Sequence, residues 1–231
     1  MASLVPLEFW LSARAEVEKI NPNTIWLAES IEPSFILSMR KNGFVGLSDS
    51  EIYQAFDISY DYDVSKEYFG YFSGQNSLKQ YIDRVSMQES IYPDNYVKLR
   101  FLENHDQTRA SRLIHDEETL KIWTGFLYFQ KGITLLYAGQ EAQAVTTPNL
   151  FDIDKINWLG IKKDFVELLK ILGVIKKKEI MAKGFYEICT SENKDVILAS
   201  YLMKNKKLIG IFNVGKEQGE MNLDVADGQY I

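Results

Sequence analysis

The sequence has little cysteine and no long apolar run, and each shortage excludes a class of protein. Cys189 is the single cysteine among 231 residues, so an intramolecular disulfide framework is excluded and a reducing compartment is favoured. We therefore expect a cytoplasmic location, with Cys189 as a small buried residue. No stretch approaches the roughly 18 apolar residues of a membrane span. Charges at Glu8 and Arg14 interrupt the apolar N-terminal stretch, so we expect no signal peptide there.

A dense basic patch is missing as well. The chain has 26 basic and 32 acidic residues, a net charge of −6, and its short clusters such as KNKK stand beside the ends of predicted strands. Binding of nucleic acid needs many phosphates to be neutralised, so we expect no nucleic-acid partner. The sequence also has no nucleophile elbow, no phosphate-binding glycine loop and no zinc-type Cys/His spacing. The acids at Asp57, Asp61 and Asp63 lack the glycine and terminal glutamate of a calcium loop, so no metal ligand is predicted.

Predicted helices and strands alternate over the first 180 residues. Apolar side chains at helical spacing predict a helix near the N-terminus, where Phe9, Ala13 and Val17 share one face. The other predicted helices are 33–42, 77–90, 116–131, which Asp116 would cap, and the apolar stripe within 165–175. The predicted strands are 24–28, 51–63, 97–102 and 133–139. Such alternation favours a parallel sheet with helices on both faces.

The pattern changes after residue 180. The stretches GFYEICT, DVILASYLMK and KLIGIFNV follow one another with only ENK and NKK between them. No helical stripe separates them, so they predict consecutive antiparallel strands. We therefore predict two domains, an α/β domain over 1–180 and the start of a β-domain over 181–231.

Polar side chains follow each strand of the predicted parallel sheet. They are Glu29, then Asp61 and Asp63, then Asn104, His105 and Asp106, and last Gln140 and Glu141. Loops at the carboxyl ends of parallel strands meet on one side of a sheet, where active sites of such folds lie. Any one of these clusters can equally be a solvated loop. Several carboxylates among the aromatic residues Trp26, Tyr60, Tyr62 and Tyr137 are what glycoside hydrolysis requires, because one acid protonates the leaving oxygen and another balances the anomeric charge.

Four segments resemble the α-amylase family of glycoside hydrolases. FLENHD resembles the family's signature, ARAEVEKINPNTIWLAES the stretch around its general acid, GITLLYAGQE its eighth-strand motif, and PNLFDIDKINW the segment that follows that strand. The resemblance implies a retaining enzyme of α-glucosidic bonds built on a (β/α)8 barrel. Over this chain it implies only the second half of the barrel, strands 5–8 with their helices, followed by part of an antiparallel β-sandwich.

The resemblance also assigns roles to single residues. Glu29 would be the general acid/base, and Asp106 the third carboxylate, which binds sugar hydroxyls and stabilises the transition state. His105 would bind the sugar at the point of cleavage, Asn104 would support its turn, and Arg109 would be a partner for these acids. No cofactor is implied for this chain, because the calcium site of the family belongs to the N-terminal half. The binding partner that the resemblance implies is an α-glucan or oligosaccharide substrate.

The sequence departs from the family at the covalent nucleophile. The family carries this aspartate in a pattern like GFRCDVASLVP, whereas the chain begins MASLVP, which places the aspartate one position before Met1. The chain ends at DGQYI, which the prediction places within the β-domain. We therefore expect a fragment that is inactive alone and is poorly stable or oligomeric. The alternative is a non-catalytic carbohydrate-binding or assembly piece that complements an N-terminal half.

Overall fold

A computed structural model describes residues 1–191, 195–221, 223 and 225 of the chain. Its elements form two sheets and nine α-helices within that part of the chain, joined in places by short 3-10 turns. The predicted ENK link (192–194) and the terminal DGQYI (227–231) lie outside the described residues. The helices are α1 Leu7–Ile20, α2 Pro33–Lys41, α3 Asp49–Ile52, α4 Ser65–Phe72, α5 Leu78–Ile91, α6 Ala110–Leu113, α7 Glu117–Phe129, α8 Lys163–Lys176 and α9 Glu179–Lys183. The strands are β1 Leu27–Ala28, β2 Ile58–Tyr60, β3 Lys98–Arg100, β4 Ile133–Thr134, β5 Phe185–Thr190, β6 Val196–Met203 and β7 Lys206–Asn213.

The first four strands form the parallel sheet that the alternating pattern predicts. They lie side by side in chain order, β1-β2-β3-β4, and each pairs in parallel with the next. Ala28 is opposite Ser59, Tyr60 is opposite Leu99, and Arg100 is opposite Thr134. The strands are only two or three residues long, shorter than predicted. Because this register aligns their carboxyl ends, the loops that follow β1, β2 and β3 emerge on one side of the sheet.

The prediction of a single strand over the segment 51–63 was wrong. Instead of one strand, it contains the end of α3, a turn, and β2 of three residues. Ser48 caps α3 with a capping box, in which its hydroxyl accepts from the Glu51 backbone and the Glu51 carboxylate accepts from the Ser48 backbone. The alternating apolar residues therefore belong to a helical turn and a short strand in succession. Helices α4 and α6 were not predicted either, since both are at most eight residues long.

The main core lies between the helices and the second sheet. Trp123 on α7 is 1% exposed and packs against Tyr68, Tyr81 and Phe126. The predicted cap of α7 is confirmed, because the Asp116 carboxylate accepts from the Thr119 backbone amide at 2.7 Å. The apolar face of this helix thus joins the parallel sheet to the β-strands that follow it in sequence.

The second sheet is antiparallel, in the order β5-β6-β7, as predicted. Side chains of β5 alternate, so that Tyr186 and Ile188 are buried while Phe185 and Cys189 are exposed. The expectation that Cys189 is buried was therefore wrong, because the strand turns its odd-numbered residues away from the core. Tyr201 on β6 fixes the sheet to the helices by donating its hydroxyl to the Phe129 carbonyl at 3.0 Å. On the outer face of this sheet, Phe185 is 67% exposed and Leu202 is 50% exposed.

A buried group of five charges connects β3 to its neighbours. Lys98 contacts the carboxylates of Asp49 and Asp63, and Arg100 contacts Asp61 at 2.7 Å. Both basic side chains are fully buried. Burial alone would raise the pKa of Asp63, but the Lys98 ammonium holds that pKa well below its usual range. Asp61 and Asp63, predicted at the functional rim, are instead counter-ions of cations in the sheet interior.

Helix α1 is weakly packed. None of its residues is buried, and Phe9 and Ile20 are 56% and 89% exposed. Trp10 packs on Phe56 and donates to the Ala2 carbonyl at 3.0 Å, and Arg14 donates to the Ala55 carbonyl at 2.9 Å and to Asp57 at 2.8 Å. Within the described part of the chain, no helix combines the length and the hydropathy that crossing a bilayer requires. Phe9, Leu11 and Ile20 leave apolar surface exposed on α1.

The Lys176 side chain gives the stability of the fold a pH dependence. Burial, and secondarily the charge of Arg100, lower the pKa of Lys176 to about 7. An unfolded lysine titrates near its ordinary value, so between about pH 7 and pH 10 the unfolded chain binds more protons and stability rises with pH. We expect the stability of Lys176→Met, relative to the unmodified chain, to be higher at pH 6 than at pH 10 by about 4 kcal/mol.

The check is urea unfolding of both proteins at pH 6, 8 and 10. The exposed Lys177 is the matched control, because its replacement by methionine removes the same charge without relieving burial. A difference between Lys176→Met and the unmodified chain that stays constant across this range would contradict the assignment.

Candidate functional site

Glu29 stands directly after β1 and is held there by its main chain. Its carbonyl accepts from the Ala2 amide at 2.9 Å. The next residue, Ser30, is fully buried and its hydroxyl contacts both Ser59 and the Tyr60 carbonyl. The backbone on both sides of Glu29 is therefore anchored, while its side chain is 32% exposed and free to meet a ligand.

His105 and Asp106 reach the same place from the loop after β3. His105 Nε2 lies 3.2 Å from Glu29 Oε1 and 3.4 Å from Asp106 Oδ2. The three side chains are between about a third and a half exposed. The structure thus brings together the two predicted catalytic carboxylates and the predicted sugar-binding imidazole, although Glu29 is far from the other two in sequence.

Asn104 fixes the loop that carries Asp106. It is fully buried, its Nδ2 donates to the Tyr62 hydroxyl at 3.0 Å, and its Oδ1 accepts from the Asp106 amide at 2.9 Å. Both ends of the Asn104 amide are thus engaged within the protein, as a supporting role for the turn requires. Tyr62 is the partner that sequence reasoning noted only as an aromatic neighbour.

Arg109 lies away from Glu29 and Asp106. It is 2% exposed, its Nη1 donates to Glu103 at 2.7 Å and to the Ala138 carbonyl at 2.9 Å, and it stacks on Tyr137. Glu103 also accepts from the Ala110 amide at 2.7 Å. The acid that Arg109 pairs with is therefore Glu103, which was quoted within FLENHD but given no role, and the pair closes the loop 103–110 at its base.

A cavity of about 270 Å³ opens over these groups. Its walls include Glu29, Asp106, Tyr62, Phe35 and Met1. Tyr60 stacks on Tyr62 with ring centroids 5.5 Å apart, and burial followed by the negative charges of Glu29 and Asp106 raises the pKa of Tyr60. An acidic cavity with aromatic walls suits a neutral, hydroxyl-rich ligand. Two other predicted aromatic residues lie elsewhere, with Trp26 packed on Phe56 and Tyr137 under Arg109.

The remaining predicted rim residues do not join this group. Gln140 is buried, and Glu141 accepts from the Gly139 amide at 3.0 Å in the turn after β4. Gly139 has φ of 96°, a left-handed conformation that favours glycine. Both residues therefore shape the turn that follows the fourth strand.

Comparison with known proteins points to one class, enzymes that act on α-glucans. Residues 187–231 match the family model described as the bacterial alpha amylase C-terminal domain. Alpha-amylase 2 of Dictyoglomus thermophilum is 24% identical over 136 residues, which are 58% of this chain and 22% of that protein.

Two solved structures match nearly the whole chain. An α-amylase from Lactobacillus plantarum is 36% identical with a TM-score of 0.92, over 98% of this chain and 53% of its own. A maltogenic α-amylase from Thermotoga neapolitana is 32% identical with a TM-score of 0.79, over 94% of this chain and 48% of its own. The chain spans about half the length of these structures. Together the matches confirm the resemblance to the α-amylase family of glycoside hydrolases.

Proposed function

We propose that this chain supplies the general acid/base and the third carboxylate of an α-amylase-type glycoside hydrolase. In this proposal residues 1–180 are the second half of the catalytic (β/α)8 barrel and residues 181–231 begin the C-terminal β-sandwich. The observation that supports it best is the meeting of Glu29, His105 and Asp106 beside the cavity at the carboxyl ends of the parallel strands. The named relatives are amylases, which favours an α-glucan or oligosaccharide substrate.

The chemistry follows from where the groups lie. Glu29 is open to the cavity, so it protonates the glycosidic oxygen as the bond breaks and then takes a proton from the attacking water. Asp106, whose carboxylate lies within 4.8 Å of the Glu29 carboxylate, binds sugar hydroxyls and balances positive charge at the anomeric carbon. His105 lies between the two acids and donates a hydrogen bond to the sugar.

A retaining mechanism also needs a nucleophilic carboxylate about 5–5.5 Å from the acid. We propose that this group comes from the part of the barrel that the longer relatives have and this chain does not span. The Met1 main-chain nitrogen lies 3.7 Å from Glu29 Oε2, so a residue joined to it would stand beside the general acid. On this proposal the 231-residue chain alone has no appreciable activity.

The test combines the chain with a separately expressed N-terminal half of the Lactobacillus plantarum amylase. We expect no turnover of 4-nitrophenyl maltooligosaccharides by either piece alone and clear turnover by the pair. Turnover by the chain alone, lost in Glu29→Gln, would overturn the assignment of the nucleophile. An inactive pair that has assembled, as judged by light scattering, would overturn the catalytic proposal.

A second candidate function is carbohydrate binding or assembly without catalysis. The unburied helix α1, with Phe9 at 56% and Ile20 at 89% exposure, favours it because such a stripe suits a second polypeptide. Calorimetry distinguishes the two candidates. Maltoheptaose binding by an assembled pair that shows no turnover supports this second function.

A further inference from the structure

The contacts of Asn104 fix the direction in which the Tyr62 hydroxyl forms hydrogen bonds. The Asn104 Oδ1 atom lies 2.9 Å from the Asp106 amide, and a backbone amide can only donate. The other end of the Asn104 side chain, Nδ2, therefore faces Tyr62 and donates to its hydroxyl oxygen at 3.0 Å. Because Tyr62 accepts in this contact, its own proton remains available for another partner.

That proton belongs to the wall of the candidate active site. Tyr62 is 7% exposed and lines the cavity together with Glu29 and Asp106. Among the described residues, no oxygen accepts the Tyr62 proton. Burial chiefly, with the negative charges of Asp106 and Glu29, raises the pKa of Tyr62, so the hydroxyl stays protonated at neutral pH. The cavity wall therefore carries a hydrogen-bond donor that has no acceptor in the described part of the protein.

The Tyr62 ring is held in place by two other aromatic rings. Tyr60 stacks on it with ring centroids 5.5 Å apart, and Phe101 packs edge-on with its centroid at the same distance. A side chain that is already fixed by packing loses little conformational freedom when it binds a ligand. Asn104 joins this ring to the main chain of Asp106, so the Tyr62 hydroxyl and the Asp106 main chain keep a fixed relation.

We propose that Tyr62 is a substrate-binding residue, whose hydroxyl donates a hydrogen bond to the sugar that Asp106 binds. The identity of this ligand rests on the proposed function. A sugar hydroxyl suits the position, because it can accept from Tyr62 and donate its own proton to a carboxylate. The hydrogen bond also selects between substrates, since an analogue that lacks this sugar hydroxyl leaves the Tyr62 proton unpaired.

The test removes the Tyr62 hydroxyl and, separately, single hydroxyls of the substrate. Tyr62→Phe keeps the ring, and we expect it to lower kcat/KM for 4-nitrophenyl maltooligosaccharides by about tenfold in the enzyme assembled from the two halves. Among substrates that each lack one sugar hydroxyl, one should lose about tenfold with the parent but less than about twofold further with Tyr62→Phe. A purely structural role for Tyr62 would lower activity without abolishing that substrate difference.

Tyr201→Phe is the matched control, because it also removes a buried hydroxyl, one that donates to the Phe129 carbonyl. This variant should discriminate between complete and deoxy substrates as the parent does. The proposal is overturned if Tyr62→Phe does so as well. It is equally overturned if no deoxy substrate is impaired with the parent, a result that requires no variant to fold.

Calorimetry supplies a readout that needs no turnover. Maltoheptaose binding to the 231-residue chain should weaken by about fivefold in Tyr62→Phe and stay unchanged in Tyr201→Phe. Absence of binding by the parent chain, or equal affinity in the two variants, would overturn the hydrogen bond. An inactive assembly, combined with maltoheptaose binding that depends on Tyr62, would fail the proposed catalysis while supporting this inference.

Discussion

Glu29→Gln is expected to lower kcat for 4-nitrophenyl maltooligosaccharides by about 10²–10⁴-fold in the enzyme assembled from this chain and an amylase N-terminal half. Glutamine keeps the size of the side chain and its place after β1, but it can neither give nor take the proton. The loss should therefore appear mainly in kcat, since sugar contacts to Asp106 and His105 remain. The measurement is steady-state kinetics of the assembled variant against the assembled parent.

Two further readouts separate a proton-transfer role from a structural one. α-Maltosyl fluoride has a leaving group that needs little protonation, so bond cleavage by Glu29→Gln should be far less impaired with it. Azide attacks without a general base, so it should restore turnover of the covalent glycosyl-enzyme intermediate that the variant forms from this fluoride. Asp106→Asn should show a loss that neither reagent repairs. The exposed Glu16 on α1 supplies the matched control, and Glu16→Gln should leave kcat unchanged. Full activity in Glu29→Gln would contradict the role.

Arg100→Met is expected to lower the free energy of unfolding by about 3–5 kcal/mol. The fully buried guanidinium donates to Asp61 at 2.7 Å, to Gln88 at 2.7 Å and to the Lys131 carbonyl at 2.8 Å. Without it the buried Asp61 carboxylate keeps, among the described residues, only the Gln88 amide as a hydrogen-bond donor. The cost comes chiefly from that uncompensated charge. Urea unfolding followed by tryptophan fluorescence measures it.

The comparison variants make this result interpretable. Arg100→Met with Asp61→Leu removes both charges and should recover most of the loss, because two apolar groups can replace a buried pair at little cost. Lys79→Met breaks an exposed pair with Asp83 at 2.6 Å and should change stability by less than about 1 kcal/mol. A loss below about 1 kcal/mol for Arg100→Met would show that water or another group compensates Asp61.

Sequence patterns correctly predicted the helices and strands that are determined by residues close together in sequence. Helix α7 was predicted from its apolar spacing and from Asp116 at its start, and the structure confirms both. The parallel sheet followed from alternation of helices and strands, which requires crossover connections. The convergence of Glu29 and Asp106 followed from the same topology, because parallel strands deliver their following loops to one side.

The parts that were not predicted depend on contacts, or on successions of short elements, that side-chain periodicity does not show. Asp61 and Asp63 look like rim acids until Lys98 and Arg100, more than 30 residues away, are placed beside them. Arg109 and Glu103 are only six residues apart, but no helical or strand periodicity relates them, and a loop closes the pair. Segment 51–63 alternates like a strand because side-chain pattern alone does not distinguish a short helix and a short strand in succession.

The exposed position of Cys189 gives the chain a built-in place for a fluorescent label. It is the single thiol of the sequence, and β5 turns it toward the outer face of the second sheet. Partial burial, and then the charge of Glu187, raise the pKa of the Cys189 thiol, so maleimide coupling should proceed faster as the buffer is made more alkaline. A solvent-sensitive dye at this point would report when that face becomes covered, without any engineered cysteine.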